Sequence, residues 1–393
     1  MVIEEKKSYF ILLLYSMLIV INQYFWISFT TITPEVVQFY HTTSYDVGIL
    51  TIIFPIIYII ISFPAGIFID KYGYKKSIML GATIMTVFSI LRLYNSFDVL
   101  FIGQIGIAVA QPFLLNSSTK LSHANFSESK APLAIGISVV FIFVGIALGT
   151  IIPPLFVFNF SQYYLLTLYW ILISIIMSIL FFAFVYYHAP ESHEKSNKIN
   201  FTRIFTEKKV LIFYYVIFIG MGTFIGLLTW IDNIFMPIGY SELDIGLISF
   251  MFIIGSIIGS FIITYFSTKF NRFWILVTSF CLSSIVLLII TFIVNIDITI
   301  TLMVVLGIFF SGSFPLIISW SSDLVGAEMS GSSTSAIWFF GNVGGIFIPL
   351  LMPYSFSVFG FNPYFIAFIV IAVALILAVP LIFLNGMKVD IQS

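Results

Sequence analysis

A chain of 393 residues with 60% hydrophobic and 8% charged side chains lacks the polar surface to enclose its own core in water. Its mean hydropathy of +1.14 is that of a polytopic membrane protein, and a net charge of -1 offers no basic surface to a nucleic acid. The one cysteine, Cys281, lies inside an apolar run, which excludes an intramolecular disulfide and argues against a thiolate metal cluster, so neither metal nor cofactor is expected.

Apolar runs of membrane-spanning length, roughly 20 residues each, recur along the chain. The first six are Tyr9–Thr30, Val47–Ile69, Ser77–Tyr94, Val99–Leu121, Ala131–Phe158 and Tyr163–Tyr187. The next six are Val210–Asn233, Ile245–Phe266, Phe273–Asn295, Ile298–Ser322, Ser332–Met352 and Pro363–Leu384. The first run lacks the short core and small-residue cleavage site of a signal peptide and is expected to remain in the membrane. Between the two sets, His188 to Lys209 carries Pro190, mixed charges and no apolar periodicity, which reads as a linker. The expectation is an all-α membrane protein of twelve transmembrane helices. Residues 1–187 and 210–393 would form two pseudo-symmetric six-helix bundles, joined by a cytoplasmic linker at 188–209.

Charge gives the orientation. Lys6, Lys7, Lys71, Lys75, Lys76, Lys120, Lys130, Lys195, Lys198, Arg203, Lys208, Lys209, Lys269, Arg272 and Lys388 all fall on one side of this layout. The other connections carry acids such as Glu35, Asp46, Asp98, Glu242 and Asp244 but no lysine, and Arg92 alone breaks the pattern. Both termini are therefore expected in the cytoplasm of a cell whose plasma membrane holds the protein.

An internal repeat relates the halves. Asp46-Val47-Gly48-Ile49 opens the second run and Asp244-Ile245-Gly246-Leu247 the eighth, while Gly145, Gly149 and Pro153 recur as Gly341, Gly345 and Pro349. Glycines four apart followed by proline suit close helix approach and a bend.

Between the second and third runs lies Gly66-Ile-Phe-Ile-Asp70-Lys71-Tyr72-Gly73-Tyr74-Lys75-Lys76. Gly66 permits close helix contact, Asp70 starts a tight basic loop, Gly73 supplies its turn, and Lys75 and Lys76 hold it in the cytoplasm. This Gly-x3-Asp-x2-Gly-x-Lys-Lys pattern resembles the signature loop of the major facilitator superfamily. That resemblance implies a major facilitator fold working by alternating access, with the first, fourth, seventh and tenth helices lining a central cavity. The corresponding stretch of the second half, Lys269-Phe270-Asn271-Arg272, keeps the basic residues without the Gly/Asp frame. The loop also implies that Asp70 faces the start of the eleventh helix near Gly331 to Thr334.

Polar side chains at mid-depth of a membrane helix are costly, hence functional candidates. Asn22 and Trp26 share one helix face, Gln104 and Gln111 share another, and Trp338 with Asn342 repeats the aromatic–amide pair. The competing reading is that amides staple helices together and that Trp230 and Trp320, near helix ends, mark the membrane interface. No acid lies at mid-depth, since Arg92 and Asp232 both fall near external ends, so facilitated diffusion is favoured over a proton relay. Asn22-Gln23-Tyr24-Phe25-Trp26-Ile27-Ser28 and Gly103-Gln104-Ile105-Gly106-Ile107-Ala108-Val109-Ala110-Gln111 resemble the matching helices of the feline leukaemia virus subgroup C receptor-related transporters. The resemblance implies a choline-like amine as substrate, held by Asn22, Trp26 and Gln111, with Asn342 where that branch has glutamine. It departs at Ile225, beside Phe224, where the branch has a cage tyrosine. The expected partners are a small-molecule substrate and the bilayer, the protein being a monomer. Two rivals stand beside the transporter: a non-transporting sensor on the same fold, and a membrane-embedded lipid-modifying enzyme. The second would need clustered acids or histidines, whereas His41, His123, His188 and His193 are scattered.

Overall fold

The structure is a computed structural model and describes residues 2–188, 205, 208–352 and 369–376. Every regular element among the described residues is helical. Lipid dictates this, because a helix satisfies its backbone hydrogen bonds within one segment. In chain order the elements are α1 (Val2–Ile27), α2 (Thr33–Tyr40), α3 (Ser44–Ser89), α4 (Phe97–Leu115), α5 (Ser118–Asn125), α6 (Ala131–Phe156) and α7 (Phe160–His188). There follow α8 (Lys208–Phe235), α9 (Glu242–Ser267), α10 (Arg272–Ile290), α11 (Ile296–Phe309), α12 (Phe314–Val325) and α13 (Ser330–Leu351). Ten helical stretches among the described residues are long and apolar enough to cross a membrane. Of the expected twelfth run, Pro363–Leu384, only 369–376 is described, and it is helical; the rest, like most of the expected linker, lies outside the described residues.

One of the ten is α3, and it comprises two helices that meet at Gly73, where φ is 83° and ψ 162°. That conformation is essentially confined to glycine. The loop expected from Asp70 to Lys76 is thereby reduced to a single non-helical residue, and Asp70 ends up on a helix instead of opening a turn. Two other runs are broken where the sequence reads them as continuous. The fourth divides after Leu115, and the tenth divides at a 3₁₀ turn, Ser311–Ser313. In the tenth, Pro315 lacks the N–H that would bond the Ser311 carbonyl, so a regular helix cannot run through. Between the first two runs, residues expected as a connection form α2.

The repeat at Asp46 and Asp244 has a physical meaning: both are capping boxes. The Thr43 hydroxyl accepts from the Asp46 N–H (3.2 Å) and the Asp46 carboxylate accepts from the Thr43 N–H (3.0 Å). Ser241 and Asp244 do the same at 3.3 and 3.0 Å.

The chain forms two compact units, Met1–Ile199 with Gly326–Ser335, and Asn200–Val325 with Ala336–Ser393. In the first, α3 shows why amphipathicity is faint in such helices. Leu50, Phe54, Tyr58 and Ser62 form a buried stripe, while Ile52, Ile56 and Ile60, on another face, are 41–61% exposed. Apolar groups suit both faces when the solvent is lipid. α1 and α6 approach closely at Gly145, where a Cβ would come within 2.6 Å of Gln23 Cβ. In the second unit the matching Gly341 is looser, with a Cβ 3.0 Å from the flexible Met221 side chain, and the tight approach shifts to Gly344. A Cβ there would lie 2.9 Å from Phe218 Cα.

Candidate functional site

Three groups of polar side chains are held inside the units. The first surrounds Asp70, which is 1% exposed. Its carboxylate accepts the Gly331 N–H at Oδ1 (2.9 Å) and the Ser332 N–H at Oδ2 (2.8 Å). These are among the N–H groups that the first turn of α13 leaves without helical partners. Lys120 Nζ lies 3.7 Å from Asp70 Oδ1 and donates to the Glu328 carbonyl at 3.1 Å. Thr119 donates to the Ser330 carbonyl (3.1 Å), and Ser62 donates to the Ser335 carbonyl (2.7 Å). Behind Ser62, Asn116 donates to its hydroxyl (3.4 Å) and accepts from Tyr58 OH (2.5 Å). Gly66 lets this segment approach, since a Cβ there would meet Ser335 Cβ at 2.8 Å. Lys75 and Lys76 follow the Gly73 break on the helix that leads away. Thus Gly66 and Asp70 belong to one buried latch on residues 326–335, and Gly73 ends the helix that carries them. The sequence reading missed Lys120, Thr119, Ser62 and Asn116, because a lysine at a helix end reads as an ordinary loop charge.

The second unit carries the converse arrangement. Arg272, in the basic stretch after α9, pairs with Asp323 near the end of α12. Acid and base have exchanged places relative to Asp70 and Lys120, although this pair is part-exposed where the first is buried.

The second group holds the mid-helix candidates of the first unit. Asn22 is fully buried, with Nδ2 3.4 Å from the Ile107 carbonyl and Oδ1 accepting from Gln23 Nε2 at 3.2 Å. It thus meets α4 one turn before Gln111. Gln104 donates to the Leu50 (3.3 Å) and Phe25 (3.4 Å) carbonyls, joining α4 to α3 and α1. Gln111 is 5% exposed and its amide makes no hydrogen bond among the described residues. Trp26 is half-buried beside Phe54, with ring centroids 6.2 Å apart, and its indole N–H donates to the Thr51 carbonyl at 3.0 Å. That carbonyl has no helical donor, because the residue four positions on is Pro55. Asn22 and Trp26 therefore leave α1 toward different neighbours, α4 and α3.

A similar bond occurs in the second unit, where Trp230 donates to the Pro349 carbonyl near the end of α13 at 2.8 Å. Trp320 rests against Phe213 with centroids 5.3 Å apart. Asn342 donates to the Trp338 carbonyl of its own helix at 2.8 Å. Ile225 lies over Gly345, while Phe224 is buried against Phe252 with centroids 5.5 Å apart.

The third group surrounds Arg92, the exception to the charge pattern. It is 2% exposed, so it does not act as a loop charge at all. Phe25 of α1, with Ser28 and Phe29 of the turn that follows it, holds its guanidinium, and Tyr163 of α7 donates to its carbonyl at 3.2 Å.

Sequence and structure comparisons agree on the kind of protein this is. The chain matches the profile of the Major Facilitator Superfamily over residues 14–238 and 233–390. An uncharacterized MFS-type transporter of Caenorhabditis elegans is 24% identical over 383 residues, covering 90% of this chain and 65% of the relative's own length. The choline/ethanolamine transporter flvcr2a of Danio rerio is 22% identical over 384 residues, 90% of this chain and 82% of the relative. Among solved structures, the E. coli fucose:proton symporter FucP superposes with a TM-score of 0.75 at 15% identity, over 95% of this chain and 98% of that one.

Proposed function

Because the chain belongs to the Major Facilitator Superfamily, we propose that it carries a small organic solute across the plasma membrane by alternating access. The solute is a cationic or zwitterionic amine of the choline kind, and transport is facilitative, with no coupling through a buried carboxylate. The protein works as a monomer with both termini cytoplasmic, its twelve helices arranged as two six-helix domains on either side of the 188–209 linker. Likeness to flvcr2a along most of the chain supports the substrate class.

The observation that carries the amine reading is Trp26. Its polar edge is tied to the Thr51 carbonyl, so the ring is held in one orientation while remaining half-buried. A fixed indole face attracts an ammonium group by roughly 1–2 kcal/mol once both are desolvated. Gln111, with an unengaged amide, supplies a neutral hydrogen-bonding group on α4, one turn beyond the Ile107 carbonyl that the buried Asn22 meets. Asp70 is spoken for by two backbone N–H groups and Lys120, so it serves the latch and not a proton relay.

The test is binding of choline and ethanolamine to the purified protein, read by thermal shift and by titration. Trp26→Ala should weaken binding about tenfold, while Trp26→Phe keeps a π face and loses less. Wild-type affinity in Trp26→Ala would remove Trp26 from the site and the amine reading with it.

A further inference from the structure

The geometry points to a binding site for a single small inorganic anion of the halide class, lined by Arg92, Tyr24, Ser28 and Thr167 in the first unit. A cavity of about 10 Å³ is lined by these four residues together with Phe25, Phe29, Tyr163 and apolar residues such as Pro153 of α6 and Leu166 of α7. That is room for about one water molecule, so a halide ion, roughly twice that volume, is seated by small side-chain shifts in the lining.

The charge of the lining favours an anion over water. Arg92 has no carboxylate within 4.0 Å among the described residues. Its Nη2 donates to Ser28 Oγ at 2.8 Å and its Nη1 lies 3.4 Å from the Phe25 carbonyl, while Nε is buried without an acceptor. The rings of Phe25 and Phe29 flank the guanidinium at 4.8 and 4.4 Å from its carbon, which offsets part of the charge. A buried cation without a counter-charge is nonetheless costly.

The remaining polar groups on the lining are donors as well. Tyr24 OH and Thr167 Oγ1 make no hydrogen bond among the described residues, although the two residues are 3% and 6% exposed. Ser28 accepts from Arg92, so its own proton is free to point elsewhere. A water molecule would satisfy some of these donors and leave the charge uncompensated. A halide ion accepts from several donors at once and neutralises the guanidinium.

The test uses full-length protein in detergent at constant ionic strength, with chloride replaced stepwise by gluconate. Wild type should be stabilised by chloride and by bromide in a saturable way, by about 1–3 °C at saturation. Tyr24→Phe and Thr167→Val each remove one donor without unpairing a charge. They should fold and need roughly tenfold more chloride for the same shift, whereas Arg92→Gln should lose the shift. Anomalous scattering from bromide-soaked crystals reads the same site directly, with a peak between Arg92 and Thr167. Identical melting in chloride and gluconate, a shift that survives in both donor variants, or ordered water without bromide at Arg92 would each overturn the assignment.

Discussion

Replacing Asp70 by asparagine tests whether the buried carboxylate holds residues 326–335 in place. Asp70 accepts two backbone N–H groups at 2.9 and 2.8 Å, one on each oxygen. Asparagine can accept only one of them, and its amide N–H₂ would face the other donor. One charge-assisted bond, about 1.5–3 kcal/mol, is therefore lost, and Lys120 at 3.7 Å loses its counter-charge. The sum is on the order of 2–4 kcal/mol, or a roughly 30- to 1,000-fold shift toward release of the segment. Ser332 is fully buried at this contact, and Cys281 is the only native cysteine. In a Cys281→Ser, Ser332→Cys background, labelling by a hydrophilic maleimide should be slow with Asp70 and at least about tenfold faster with Asp70→Asn. Lys120→Gln leaves both backbone bonds intact and should give a smaller increase. Equal labelling rates in folded Asp70 and Asp70→Asn proteins would refute the latch.

Gly73→Ala forces a side chain into φ 83°, ψ 162° and should lower stability by about 1–3 kcal/mol in thermal melts; in Gly48→Ala, whose new Cβ meets nothing within 4 Å, melting should not fall comparably. Equal losses would show that the Gly73 conformation carries no special demand. Trp26→Phe orphans the Thr51 carbonyl and should cost about 1–3 kcal/mol of stability. Pro55→Ala restores the missing N–H and should recover much of it, so additive losses in the double mutant would refute the link.

Much of this was legible in the sequence where one local rule decides the outcome. The apolar runs, the basic bias and the two Asp-led helix starts each follow from a few adjacent residues. Asp70 and Gly73 also stood out, but the length of the loop between them did not, because long-range bonds to Gly331 and Ser332 keep Asp70 on its helix. Arg92 looked like a breach of the charge rule. Only its burial against Phe25 and Phe29, more than sixty positions away in sequence, shows why that rule does not apply to it. The tryptophan–proline pairing was hidden for the same reason: Pro55 announces a free carbonyl, and nothing local says that Trp26 supplies the donor. Gly341 and Gly345 matched Gly145 and Gly149 by pattern, yet contact at Gly344 depends on how α8 meets α13.

The most direct measurement of facilitative amine transport is uptake of radiolabelled choline and ethanolamine into proteoliposomes, with and without a protonophore. Uptake should exceed that of protein-free vesicles, stop at equal concentrations inside and outside, and continue unchanged when the membrane is made proton-permeable. Trp26→Ala should reduce it at subsaturating substrate. Accumulation above the external concentration driven by a pH step, and lost on replacing a single acid such as Asp232, would contradict this reading, as would uptake no faster than in empty vesicles.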